Sequence, residues 1–199
     1  PIDRLRAEIQ PVTPHEFYRF LFAWQRADVE HRAQGPDGLE AVLDLLDACE
    51  LPLGAWEPEV LSARVAEYDP QWLDALFLSG ELAWGRLRPP KRDEKDGPGM
   101  AALNRSMPIA LTLRDDLAWL LPAERPNLDS LASSAAREVL NVLDLRGALF
   151  YREIANLTGL LPTQLEDALR ELAALGLVSS DTFAAVRHIT AGQKKTHGR

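Results

Sequence analysis

Cysteine, long apolar runs and positive charge are all scarce in this sequence. Cys49 is the only cysteine among 199 residues, so no disulfide can form within the chain, which is typical of a reducing cytoplasm. No apolar run approaches the roughly 18–20 residues that a helix needs to cross a bilayer, and we expect no membrane partner. Acidic residues outnumber basic ones by 30 to 22, for a formal net charge of −8. Because phosphate contacts dominate non-specific affinity for nucleic acid, any nucleic-acid surface must be a local basic patch.

Motifs that carry catalysis are also missing from the sequence. There is no G-x-x-x-x-G-K-[ST] phosphate loop and no G-x-S-x-G nucleophile elbow. The four histidines do not fall at the i, i+4 spacing of a metal-binding helix, and one cysteine cannot build a zinc site. Residues 97–102 fit G-x-G-x-x-A, but no strand leads directly into them, so we attribute the match to chance. We therefore predict no catalytic residue, metal site or cofactor within this chain.

The segment 130–190 has the pattern of a winged-helix domain. Three helical signals are indicated by apolar residues at i, i+3 and i+4 spacing. The third is predicted to open at 163–166 as a capping box and to stop at Gly176, in the position of a left-handed C-cap. Strands at 177–179 and around 183–189 are predicted to complete a small wing.

An N-terminal helical segment, 1–37, precedes the rest. Residues 13–16 read Thr-Pro-His-Glu, a capping box with proline at the favoured first helical position. Aromatic and apolar residues follow at i, i+3, i+4 and i+7, which predicts a face packed on the rest of the protein rather than a base-stacking platform. These residues are Phe17, Phe20, Leu21 and Trp24.

The same order of three helices and a wing recurs over residues 38–121. Asp69 is predicted to cap the third helix, with Pro70 at its first position. The fold class is therefore mainly α with short antiparallel β wings, in tandem winged-helix modules. The predicted segments are helices in 39–46, 56–65 and 70–79, strands 81–87 and 109–113 flanking an enlarged polar wing loop (88–108), a closing helix 115–121, a linker 122–129 and a disordered tail 191–199.

Several stretches spread over the chain resemble one family of proteins. They read FLFAWQ at 20–25, GLEAVL at 38–43, WEPEVL at 56–61, WLDAL at 72–76, SGELAWGR at 79–86, PIAL at 108–111, RDDL at 114–117 and GLLPTQ at 159–164. On these residues the chain is similar to the large-helicase-related (Lhr) superfamily-2 ATP-dependent DNA helicases. The resemblance implies a piece from the C-terminal half of such a protein, built of serial winged helices outside the motor. It also implies a role in DNA repair, ATP dependence for the full-length protein only, and association with the bacterial nucleoid.

The enlarged wing loop is the best candidate for contact with nucleic acid. Proline and glycine residues keep the loop extended or mobile, and a flexible basic arm can follow a phosphate backbone. The alternative is a solvated surface loop, because Asp93, Glu94 and Asp96 share the stretch. The basic residues concerned are Arg86, Arg88, Lys91, Arg92, Lys95 and Arg105.

Weaker candidates lie on the third helices and on the second wing. Gln71 and Gln164 are near helix starts, where side chains can read bases directly. Arg187 and His188 on the second wing could touch a phosphate backbone. The rest of the face that carries Gln164 is net acidic, which favours packing against neighbouring domains.

Three functions remain open at this point. The first is an auxiliary segment that binds or positions nucleic acid, preferably DNA, and braces other domains of the same polypeptide. The second is a protein–protein scaffold without nucleic-acid contact. The third is an accessory part of a glycosylase-like repair activity, because the C-terminal region of the resembled family is itself similar to a class of bacterial DNA glycosylases.

Overall fold

The computed structural model describes residues 11–88, 103–121 and 133–187, which are mainly helical with a small antiparallel sheet. The fold class predicted from the sequence is thereby confirmed. Within the described residues no helix combines the length and the apolarity that crossing a membrane requires. The predicted linker and tail, and most of the wing loop, lie outside the described residues.

The first helix, α1 (Pro14–Trp24), begins as the sequence predicts. The Thr13 hydroxyl accepts a hydrogen bond from the Glu16 N–H, and the Glu16 carboxylate accepts one from the Thr13 N–H at 2.8 Å. The predicted burial of its aromatic face, in contrast, is wrong for the described residues. Phe17, Phe20 and Trp24 are all exposed, and no described element covers them. Helical periodicity identifies an apolar face but not what covers it.

The N-terminal module has the winged-helix order of helix, strand, two helices, strand, wing and strand. Its antiparallel sheet has the strand Pro108–Leu113 in the middle, between Leu51–Pro52 and Leu82–Gly85, and Leu51 pairs with Ile109 while Trp84 pairs with Leu111. The elements of this part are β1 (Ala33–Gln34), α2 (Gly35–Leu45), β2 (Leu51–Pro52), a π-helical turn (Trp56–Leu61) continued by α3 (Ser62–Arg64), β3 (Val65–Ala66), α4 (Pro70–Ser79), β4 (Leu82–Gly85), β5 (Pro108–Leu113), a 3₁₀ turn (Arg114–Asp116) and α5 (Leu117–Leu120).

Most of these elements lie where the sequence predicts them. Asp69 caps α4 by accepting a hydrogen bond from the Gln71 N–H at 2.9 Å, and Gly80 ends the helix with φ 82°. The strand Leu51–Pro52 was not predicted, because a two-residue strand has too little alternation to be recognised. A further pair, β1 with β3, is parallel and also only two residues long.

Trp56 lies at the centre of the first core. Its side chain is fully buried, and its Nε1–H donates a hydrogen bond of 3.0 Å to the Ile109 carbonyl of the sheet. This bond satisfies the polar group of a buried indole, which would otherwise be costly. Leu39 and Leu43 of α2, and Leu73 and Phe77 of α4, pack in the same core.

Three helices form the C-terminal part: α6 (Ser134–Arg146), α7 (Tyr151–Thr158) and α8 (Pro162–Ala174). Their core contains Val139, Ile154 and Leu165. The predicted capping box at 163–166 is wrong. Helix α8 begins earlier, at Pro162, and the Gln164 side chain accepts a hydrogen bond from the Leu161 N–H at 3.1 Å. Proline is favoured at the first helical position, which explains the shift.

The predicted strands of the second wing are also wrong for the described residues. Residues 177–180 join no sheet, and 184–187 form a helical turn. Phe183 and Val186 both enter the core of the N-terminal module, where Phe183 stacks on Phe77 with 5.6 Å between ring centroids. A spacing of three residues puts both side chains on one side of a helical turn, whereas a strand would put them on opposite faces.

Candidate nucleic-acid interface

The structure separates the predicted site residues into three groups. Lys91, Arg92, Lys95 and His188 lie outside the described residues. The second group, Arg86 and Arg187, lies between the N-terminal module and the C-terminal part, which we call the two halves of the chain. The third group remains at the surface or at the base of the wing loop, and consists of Arg88, Arg105, Gln71 and Gln164.

Arg187 is held by two carboxylates of the N-terminal module. Its Nε donates to Glu57 Oε2 at 2.7 Å, and its Nη1 donates to both carboxylate oxygens of Asp74 at 2.8 Å. Its Nη2 also donates to the Pro70 carbonyl at 3.2 Å, and the guanidinium lies 5.6 Å from the Phe183 ring centroid. We call this set of contacts the Arg187 clamp.

The Arg187 clamp favours the charged form of its arginine. The hydrogen bonds that Arg187 donates to Glu57 are the main cause that raises the pKa of the guanidinium above its ordinary value. Tyr68 donates its hydroxyl hydrogen to Glu57 Oε1 at 2.9 Å, and burial raises the pKa of this phenol. Contact between Arg187 and a phosphate, which the sequence suggests, would require these ion pairs to break.

Arg86 joins the wing strand to α8. Its Nη1 donates to the Ala174 carbonyl at 3.2 Å, and burial of the guanidinium lowers the pKa of Arg86. Gly176 packs closely against the same residue, and a Cβ at this position would collide with the Arg86 carbonyl oxygen. The Ser179 hydroxyl donates to the Trp84 carbonyl, which continues the contact along β4. This half-buried position leaves Arg86 poorly placed for phosphate.

The outward faces of α4 and α8 carry little free positive charge. On α4, Asp74 is bound by Arg187, and Leu78, on the same helix as the predicted base-contacting residue Gln71, is an exposed apolar residue. On α8, Arg170 donates to Asp167 at 3.0 Å and to Glu166 at 3.2 Å, so its charge is neutralised within the helix. With little positive charge left to attract phosphates, these faces are better suited to contact another protein domain than a nucleic-acid backbone.

The two ends of the wing loop are anchored to the N-terminal module. The N–H groups of Leu87 and Arg88 donate to Glu50 Oε1 at 2.9 and 3.0 Å. At the other end, the Arg105 carbonyl accepts a hydrogen bond from the Gly54 N–H at 2.8 Å. Arg88 is exposed and therefore remains available for the phosphate contact that the sequence predicts.

Two further basic residues, Arg146 and Arg152, are exposed at the turn between α6 and α7. Sequence reasoning did not select them, because they occur singly in helical segments and form no basic cluster. The signal that could have found them is the exposed aromatic residue between them, Phe150. The described residues contain no group of three or more His, Cys, Asp or Glu side chains that could hold a metal ion.

An apolar cavity of about 440 Å³ lies between the two halves. Trp84, Leu103, Tyr151, Leu169 and Val178 line it, together with few polar groups.

Comparison with known proteins gives consistent matches. Residues 12–101 match the family model described as the large helicase-related protein, winged-helix domain. A protein of Mycolicibacterium smegmatis named Lhr helicase/probable uracil glycosylase is 32% identical over 96% of this chain and 12% of its own length. The Lhr helicase/uracil glycosylase of Escherichia coli is 29% identical over 79% of this chain and 10% of its own length.

The matches cover most of this chain, although the chain spans only about a tenth of the length of these curated relatives. The winged-helix match includes helices α1 to α4, the sheet strands β2 and β4, and the first part of the wing loop. Residues 12–101 are therefore a winged-helix domain of the large helicase-related family, and the similarity of most of the chain to the two Lhr proteins supports a segment from the C-terminal region of such a protein.

Proposed function

We propose that this chain is a non-catalytic auxiliary unit of an Lhr-type ATP-dependent DNA helicase. It holds two helical modules in a fixed relation, and in this way it positions nucleic acid, preferably DNA, for neighbouring domains of the same polypeptide. A role in DNA repair follows from the names of the relatives, which combine helicase with uracil glycosylase.

The observation that carries the proposal is the interface between the two halves. Phe183 and Val186 from the C-terminal part complete the core of the N-terminal module. The Arg187 clamp adds ion pairs at its edge, and Gly176 allows close backbone approach at Arg86. An interface that combines apolar burial, ion pairs and backbone contact resists relative motion. Such rigidity is what a bracing unit requires.

The native cysteine offers a direct test of this rigidity. Cys49 is exposed on the N-terminal module, and Asn141→Cys would add a second exposed thiol on α6. Spin labels at the two positions should give one narrow distance distribution by pulsed electron paramagnetic resonance. Adding Arg187→Ala should broaden it, whereas adding Arg170→Ala, which removes an exposed ion pair within α8, should not. A broad distribution in the otherwise unaltered chain would contradict the proposal.

The nucleic-acid part of the proposal needs a separate measurement. Fluorescence anisotropy of labelled single and double strands, titrated with the intact chain between low and high salt, should show binding that weakens as salt rises. No binding even at low salt would contradict this part and leave only bracing.

The second candidate is a protein–protein scaffold without nucleic-acid contact. The exposed aromatic residues of α1 favour it, because an uncovered apolar face of this kind commonly marks an interaction surface. The neutralised charges on α4 and α8 agree with it. Association with the rest of the polypeptide, without any binding of nucleic acid, would favour this candidate. A contribution to base excision remains a prediction that uracil release by the chain would test.

A further inference from the structure

The turn between α6 and α7 directs two consecutive side chains in opposite directions. Helix α6 ends at Arg146, and Gly147, with φ 80°, redirects the backbone. Leu149 then packs against the core that contains Ile154, whereas Phe150 is 83% exposed. Leu149 therefore secures the start of α7, and the phenyl ring of Phe150 has no part in the core.

Phenylalanine is also an unfavourable residue type at the backbone position that Phe150 occupies. It is the N-cap residue of α7, where Ser, Thr, Asp or Asn would supply an oxygen to the first backbone N–H groups. Phe supplies none, and the reciprocal half of the capping arrangement alone is present, in which Glu153 Oε2 accepts from the Phe150 N–H at 2.8 Å. A large exposed aromatic at a position that favours a small polar residue points to a role outside folding.

Two arginines lie near Phe150 in the chain, Arg146 four positions before it and Arg152 two positions after it. Arg146 and Arg152 are both exposed, and no hydrogen bond or ion pair engages either guanidinium among the described residues. The same stretch carries two acidic residues: Glu153, whose carboxylate accepts the Phe150 N–H, and Asp144, which also has a partner. The turn thus differs from α8, where the carboxylates of the helix neutralise the local arginine.

We propose that this turn binds single-stranded nucleic acid, with Phe150 stacking on an unpaired base and Arg146 and Arg152 contacting the flanking phosphates. The inference rests on the proposed function, and it names the surface that touches the strand. An exposed ring with an exposed arginine before and after it in the chain matches the chemistry of a single strand, which offers base faces and phosphates in alternation. A paired base within a duplex keeps its faces stacked on its neighbours and does not offer them to Phe150.

The test uses the intact chain and oligonucleotides that contain 2-aminopurine. Phe150→Ala should weaken single-strand binding by about 5- to 150-fold, the range that stacking on one base gives. It should also abolish any change in 2-aminopurine fluorescence on binding, while Phe150→Tyr should retain both. Arg146→Gln and Arg152→Gln should each lower the slope of log affinity against log salt by roughly 0.7. DNA and RNA strands should be compared with duplexes, which should show no loss with Phe150→Ala.

Trp119→Ala is the matched control, because Trp119 is another exposed aromatic, on α5, and should leave binding unchanged. Thermal unfolding of each variant checks that the fold is retained. Unaltered affinity and 2-aminopurine signal for Phe150→Ala, with normal binding by the intact chain, would overturn this inference alone. Failure of the intact chain to bind any single strand at low salt would overturn it together with the nucleic-acid part of the proposed function, as would capture of a protein partner by this turn instead.

Discussion

Removal of the Arg187 side chain should lower the free energy of unfolding, because this residue links the N-terminal module to the C-terminal part. In Arg187→Ala, Glu57 and Asp74 lose their positively charged partner, although neither carboxylate is well placed to regain full hydration. The side chains of Arg187, Glu57 and Asp74 are 28%, 18% and 34% exposed. The ion pairs of the Arg187 clamp are therefore more buried than a surface ion pair and less buried than one in a protein core, and their energy should lie between those of the two cases.

The expected loss follows from these limits. Breaking a buried pair costs about 3–5 kcal/mol, whereas exposed pairs contribute about 0–1 kcal/mol. For partly exposed groups we expect about 2 kcal/mol after allowing for screening by solvent, and the contact with the Phe183 ring adds about 0.5 kcal/mol. In a chain of this size, the loss corresponds to a decrease in Tm of roughly 5–10 °C.

Thermal and urea unfolding followed by circular dichroism measure this loss. Arg170→Ala is the matched control, because Arg170 also pairs with two carboxylates, but these lie on its own helix α8 at i, i+3 and i, i+4 spacing and are more exposed than Glu57 and Asp74. It should cost at most about 0.5 kcal/mol. A double-mutant cycle of Arg187→Ala with Asp74→Ala isolates the pairwise interaction.

Two results would refute this reasoning. The first is an unfolding free energy for Arg187→Ala no lower than that of Arg170→Ala. The second is a large loss of single-strand affinity in Arg187→Ala with stability unchanged. That result would show that Arg187 contacts phosphate, as the sequence pattern suggests, and that the ion pairs with Glu57 and Asp74 do not hold the two halves together.

Two further predictions concern close packing and pH. Gly176→Ala should destabilise the protein by about 2 kcal/mol or more in urea unfolding, because the strain of a positive φ adds to the collision with the Arg86 carbonyl. Gly159→Ala is the control, because Gly159 has a similar φ of 67° but open space around it, and it should cost only about 1 kcal/mol. Equal losses of unfolding free energy in the two variants would contradict the close approach of Gly176 to the Arg86 carbonyl. Burial raises the pKa of Tyr68 above its ordinary value of 10.0. The unfolded chain therefore releases the phenolic proton at a lower pH than the folded protein does. The contribution of Tyr68 to the free energy of unfolding is complete below pH 10 and is lost as the pH rises further. Absorbance at 295 nm should therefore show Tyr68 ionising together with unfolding, and Tyr68→Phe should remove that contribution; ionisation of Tyr68 in the folded protein at its ordinary pH would contradict the prediction.

Local signals in the chain were sufficient for the helices and their ends. The capping box at Thr13, the Asp69 cap and the stops at Gly80 and Gly176 each depend on residues within four positions, so a short window contains the whole cause. The order of the helices and of the two longer strands, β4 and β5, followed from the same kind of information, as did the resemblance to the Lhr family, whereas the strand Leu51–Pro52 and the absence of a second wing among the described residues did not.

The fate of individual charges depended instead on contacts between distant segments. Arg187 and Arg152 are both arginines in helical surroundings, yet one is held by carboxylates 113 and 130 residues away and the other is free among the described residues. Likewise, Phe183 enters a distant core while Phe150 faces solvent. Periodicity and capping carry no information on such contacts, because burial is set by whichever segment packs on a residue, and that segment can come from anywhere in the chain.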